Sequence, residues 1–161
     1  MNFGGIVWWR TRFYELSAAL AMASFVIVIS QAVAERQKEL VSASTWFQVN
    51  EVFIPDHPMG SDSVLVYDRE VFEQFEAFVI TEVQQQSENG IWITVCSGSK
   101  IGDANPRESI ENNTVSWGWF IGNSCAVMPG EYRLRVTYTM TRPGWPAKRI
   151  FVLSNRFNVT A

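Results

Sequence analysis

The sequence predicts an all-β fold, a seven-stranded antiparallel β-sandwich, preceded by one N-terminal transmembrane or signal helix. Three observations lead there: an uncharged apolar run near the N-terminus, a change from unbroken apolarity to strict alternation beyond Leu40, and turn-forming residues between the alternating runs. The 161 residues suffice for one domain of about 100–150 residues and a short appendage. With 47% hydrophobic, 14% aromatic and 18% charged residues, the chain is too apolar and too aromatic to stay disordered. A net charge of −3 without a cluster of Lys and Arg argues against nucleic acid as a partner.

The helix comes first. Leu16 to Ala34 carry no charge and are interrupted only by Ser17, Ser24, Ser30 and Gln31. As a helix this run is about 28 Å long, close to the ~30 Å hydrocarbon core of a bilayer. Arg10 and Arg12 precede it, whereas Glu35 to Glu39 after it are charge-balanced, so the positive-inside bias leaves the N-terminus cytoplasmic and exports the rest. Trp8 and Trp9, with Arg10 and Arg12, sit where an interfacial anchor belongs. The expected division is residues 1–15 cytoplasmic or interfacial, 16–34 anchor or signal peptide, 35–44 stalk, and 45–161 the exported domain. Two export readings stay open. The spanning length and long aromatic N-terminal region favour an uncleaved anchor, while Ala32 and Ala34 form a small-x-small motif at which a signal peptidase would release a secreted or periplasmic domain.

The clearest strand places Tyr132, Leu134, Val136, Tyr138 and Met140 on one face and Arg133, Arg135, Thr137, Thr139 and Thr141 on the other. Comparable runs at Trp46–Ile54, Ser63–Tyr67, Phe75–Gln84, Ile91–Cys96, Val115–Ile121 and Lys148–Val159 complete the seven. Turn chemistry separates them at Pro55–Gly60, Ser87–Gly90, Ser97–Pro106, Pro129-Gly130 and Arg142–Pro146, and Asp68–Gln74 is open to a short helical turn. The spacing resembles the immunoglobulin-like or fibronectin-III-like β-sandwich, and Pro129-Gly130-Glu131-Tyr132 is similar to the corner tyrosine of that superfold, whose hydroxyl ties its strand to the preceding connection. Helix and sandwich together resemble the small membrane-anchored sandwich proteins of bacteria and their viruses. Such a resemblance implies a topology and no activity.

Cys96 and Cys125, an even pair in an exported segment, read as a disulfide. His57 is the only histidine, too few ligands for a metal site with two cysteines, and in its turn it reads as solvated. Trp117 and Trp119 share a period-two face with Val115 and Ile121, as core residues would. Trp145 lies at the tip of a connection, either folded back onto its own strands or, with Arg142, Lys148 and Arg149, forming a partner contact. Nine acids stand between Glu51 and Glu88 against Arg69, and six bases follow Glu131. That division reads either as cross-strand pairing within one molecule or as acid-to-base assembly between molecules.

No nucleophile elbow, zinc-protease helix, phosphate loop or nucleotide fingerprint occurs, and no cofactor is expected. The reading is a non-enzymatic contact module displayed outside the cytoplasm, with the membrane and a protein partner or a second copy as its neighbours. The alternative is a secreted envelope enzyme or enzyme inhibitor.

Overall fold

A long apolar run without proline satisfies its backbone groups most simply as a helix, and α1 runs Gly4–Leu40. The computed structural model describes residues 4–61, 63–106, 110–121 and 125–161, with the side chains of 4–12 and 110–113 outside that description. Trp8, Trp9, Arg10 and Arg12 are therefore placed by backbone alone, and Asp62 is among the residues not described. The chain divides into two units, Met1–Val41 and Ser42–Ala161.

In the first unit, an 18-residue window within Phe13–Leu40 has a mean hydropathy of 2.1, and the helix is long and apolar enough to cross a membrane or to act as a signal sequence. The hydroxyls of Ser17, Ser24 and Ser30 donate back to the carbonyls of Tyr14, Leu20 and Ile27 at 2.9 Å, which satisfies these three donors within the helix. The helix runs on through residues 35–40, the first part of the expected stalk. These are good helix formers, and Lys38 pairs with Glu35 at 2.8 Å one turn away.

The second unit carries β1 Phe47–Phe53, β2 His57–Pro58, β3 Val64–Val71, β4 Phe75–Gln86, β5 Trp92–Ala104, β6 Ile110–Ser116, α2 Trp117–Ile121, β7 Gly130–Thr141, β8 Lys148–Leu153 and β9 Phe157–Thr160. One sheet has the order β1-β3-β6, and the other has the order β2-β9-β7-β4-β5 with β8 also beside β7. All pairings are antiparallel except the two-residue bridge of β2 to β9.

Several predicted boundaries need correction. Lys148–Val159 is two strands: β8 pairs with Arg135–Met140 and β9 with Gly130–Tyr132 on the same side of β7. At the break Ser154 exchanges hydrogen bonds with Leu134, accepting its N–H at 2.8 Å on Oγ, and Asn155 clamps both backbone groups of Ile54 at 2.8 Å. Asp68–Val71 continue β3 across a bulge instead of turning as a helix. Ser97–Ala104 continue β5 where a break was expected, because Gly98 serves close approach and not a turn: a Cβ there would collide with the Ile121 carbonyl. Val115–Ile121 is not one strand. The Ser116 hydroxyl accepts the Trp119 N–H at 3.2 Å and caps the single turn of α2, which breaks the alternation. Trp117 is buried, but Trp119 is 54% exposed.

One apolar cluster joins the inner faces of both sheets, with Phe47, Leu65 and Tyr67 from the smaller and Val83, Leu134, Val136 and Met140 from the larger. Tyr67 and Tyr138 meet hydroxyl to hydroxyl across it at 2.6 Å. Burial raises the pKa of both, Tyr138 well above the ordinary phenol. The Tyr132 hydroxyl donates to the Met128 carbonyl at 2.7 Å and ties the start of β7 to the preceding connection.

Candidate functional surface

The segment between β7 and β8 closes as a turn with Pro143 and Gly144 at its centre. Gly144 adopts φ +72°, and the Trp145 N–H reaches the Arg142 carbonyl at 3.1 Å. That turn folds Trp145 back onto its own unit, edge to face with Trp46 at 5.7 Å between ring centroids. Arg142 lies 5.7 Å from the Trp145 ring and pairs with Glu73 at 3.1 Å. Lys148 points inward opposite Met140 and is buried, whereas Arg149 is exposed on the outer side of β8. Of the four residues expected at a contact, three are thus engaged within the unit. Beside them opens a cleft of about 910 Å³ lined by Glu73, Glu76, Asp103, Arg142 and Pro143.

The acidic and basic segments meet where Arg135 pairs with Glu82 at 3.7 Å and Arg142 with Glu73 at 3.1 Å, while Arg156 pairs with Glu131 at 3.5 Å within the basic segment and the Arg133 Nε–H donates to Gln84 at 2.9 Å. Cys96 of β5 and Cys125, beyond α2, lie at disulfide-bonding distance with Cα atoms 5.9 Å apart. Ala32 and Ala34 lie within α1. His57 is buried, contrary to the solvated turn expected: its ring stacks on Phe157 at 5.6 Å because β2 pairs with β9. Among the described residues, no three of His, Cys, Asp and Glu converge as a metal centre.

Lys100 is a second misfit to the pattern. It pairs with Val79 on the inner side of β5, and its Nζ sits 3.3 Å above the Trp119 ring without a hydrogen-bond partner. Burial first, and Arg69 second, lower its pKa to about 8.

The outward face of the larger sheet went unnoticed in the sequence, since alternation marks two faces without saying that the second must be polar. Here cross-strand neighbours run Ile101, Phe78, Thr139, Arg149 in one row, Ser99, Ile80, Thr137, Phe151 in the next, and Ser97, Glu82, Arg135, Leu153 in the third. Ile101 and Phe151 are 68% and 67% exposed, and Phe78 and Leu153 are also exposed. Thr137, on this outward side, is only 6% exposed beneath its neighbours. Arg135 lies 5.6 Å from the Phe151 ring. Apolar side chains gathered on one sheet face with charges at its rim mark an interaction surface more often than a solvated one.

The features define a class: one helix of membrane-spanning or signal-sequence character followed by a two-sheet β unit with a cysteine pair at bonding distance. Comparison with family models, curated proteins and solved structures gives no match to this chain.

Proposed function

We propose that the chain is a single-pass membrane protein whose β unit, held outside the cytoplasm, works as a contact module. Its outward sheet face, in this reading, binds the same face of a second copy. The observation that carries it is the size pattern of that face. Across the four strands β5, β4, β7 and β8, the second row reads small, large, small, large: Ser99, Ile80, Thr137, Phe151. A twofold axis parallel to the strands and between β4 and β7 exchanges β4 with β7 and β5 with β8. Phe151 then lies over Ser99 of the second copy, Phe78 over Thr139, Leu153 over Ser97, and Glu82 over Arg135. In these pairs large residues meet small ones and acid meets base, which is the self-complementarity that a twofold interface requires, and the remaining outer pair sets Ile101 against the stem of Arg149 at the rim. Sheets that pack face to face lie ~10 Å apart with strands aligned within about 30°, so the central rows keep this correspondence. Two anchored copies share one plane, and the resulting effective concentration favours even a small interface.

A fibronectin-III-like sandwich is the proposed topology. With β8 and β9 counted as one interrupted strand and the β2 bridge set aside, seven long strands remain. In chain order the first, second and fifth form one sheet, and the seventh, sixth, third and fourth form the other. The constant-type immunoglobulin arrangement differs only in pairing its fourth strand with the fifth. The Tyr132 back-bond on the sixth strand agrees with this assignment.

The function is tested by the mass of the full chain in detergent micelles, measured by light scattering over a range of concentrations. The expected result is a dimer that Phe78→Ser/Phe151→Ser converts to a monomer. A wild-type chain that stays monomeric would leave a different partner as the occupant of this face and would sink the self-association reading.

A further inference from the structure

Outside the core residue Met140 and the cysteine pair, every soft donor of the β unit lines a single cavity. This cavity, of about 320 Å³, is walled by His57, Met59, Trp117, Cys125, Val127 and Met128. Among the described residues, no carboxylate contributes to its lining. We propose that it binds a soft monovalent cation of the Cu(I) class, with His57 Nε2 and the thioether sulfurs of Met59 and Met128 as ligands.

The donor set chooses the metal. Thioether and imidazole suit Cu(I), whereas calcium and magnesium demand oxygen and structural zinc favours thiolate or several imidazoles. His57 is oriented for the task. Its Nδ1 lies 3.0 Å from the Pro55 carbonyl, which can only accept, so Nδ1 carries a proton and in the neutral ring the lone pair falls on Nε2. A backbone carbonyl on the far ring nitrogen is the usual outer partner of a ligating histidine. Stacking on Phe157 at 5.6 Å and a tilted contact with Trp117 at 5.9 Å hold the ring plane.

Both methionines stand on pinned backbone. The Met59 N–H donates to the Thr160 carbonyl at 2.8 Å, and the Met128 carbonyl accepts the Tyr132 hydroxyl at 2.7 Å. Their side chains are nevertheless 50% and 69% exposed, so core packing does not account for them. One held imidazole and two flexible thioethers thus line the same cavity, each beside a hydrogen-bonded anchor.

The test uses the full chain in detergent with any free thiol alkylated, titrated calorimetrically with Ag(I) in chloride-free buffer. Silver is the redox-inert probe for Cu(I), and a thiol assay after the titration checks that the cysteine pair is intact. One equivalent should bind, and the ring signals of His57, the only histidine, should shift in the proton NMR spectrum. The double substitution Met59→Leu/Met128→Leu keeps side-chain size at two exposed positions and should weaken binding by more than the roughly 10–100-fold that follows loss of an outer-shell partner. Met22→Leu, in α1, should leave it unchanged. Absence of binding to the wild-type chain, equal affinity in the double variant, or binding that leaves the His57 signals in place would each overturn the proposal.

Discussion

The two faces of the larger sheet are built from the same strands and carry opposite lessons. Inward, Val83, Leu134, Val136 and Met140 vanish from solvent and close against the smaller sheet. Outward, Phe78, Ile101, Phe151 and Leu153 are equally apolar and remain exposed. Folding explains the first set, since removal of each buried side chain from water contributes about 1.5–3 kcal/mol. It explains nothing about the second. The exchange also runs the other way, for Lys100 and Lys148 occupy inner positions on the edge strands β5 and β8. Alternation therefore specifies which residues share a face, while the sorting of faces into core and contact surface depends on what lies opposite.

The sharpest way to break the comparison is to truncate one residue on each side. Leu134→Ala should cost about 2–5 kcal/mol in urea unfolding, because the site is closed on all sides and a cavity remains. Reduction of the Cys96–Cys125 pair, which restrains a separation of 29 residues, should lower stability by about 3–4 kcal/mol and the melting temperature with it. Equal thermal curves with and without reductant would mean that the bond does not form. Tyr138→Phe removes one half of the inter-sheet hydroxyl pair and should cost about 1–3 kcal/mol; in Tyr67→Phe/Tyr138→Phe the combined cost should fall below the sum of the single ones, since no buried hydroxyl is then left alone. Phe151→Ser, on the outward face, should change monomer stability by no more than about 0.5 kcal/mol while abolishing association.

A pH-dependent effect belongs to Lys100. Its folded pKa lies below the unfolded one, so between about 8 and 10.5 the unfolded chain binds more protons and stability rises with pH. Below that window the charged amine bears its burial in full. Lys100→Met keeps the aliphatic stem and should flatten this rise when its pH–stability profile is subtracted from that of the wild type. An unchanged slope would place the amine in water.

Much of this was readable in the residues before the fold was known. β7 declared itself by ten residues of strict alternation, and the Tyr132 back-bond followed from its place at the strand start. The misses share a cause: local chemistry with two uses. Gly98 looked like a turn and is a close approach of α2 to β5. Ser116 is a capping residue, a signal present in the sequence that the period-two spacing of Trp117 and Trp119 outweighed. His57 looked solvated because its turn is polar, yet a two-residue bridge to β9 carries it onto Phe157. Phe78, Ile101 and Phe151 are far apart in sequence, and only the register of three ladders sets them on one surface.

That surface is tested most directly by a crosslink. Ile101→Cys and Arg149→Cys chains, which keep Phe78 and Phe151, should, when prepared separately and mixed in micelles, be joined to each other by a short bis-maleimide far faster than either is joined to itself, because the twofold sets residue 149 of one copy over residue 101 of the other. Crosslinking no faster in the mixture than in either chain alone would contradict the face-to-face pairing of the β units.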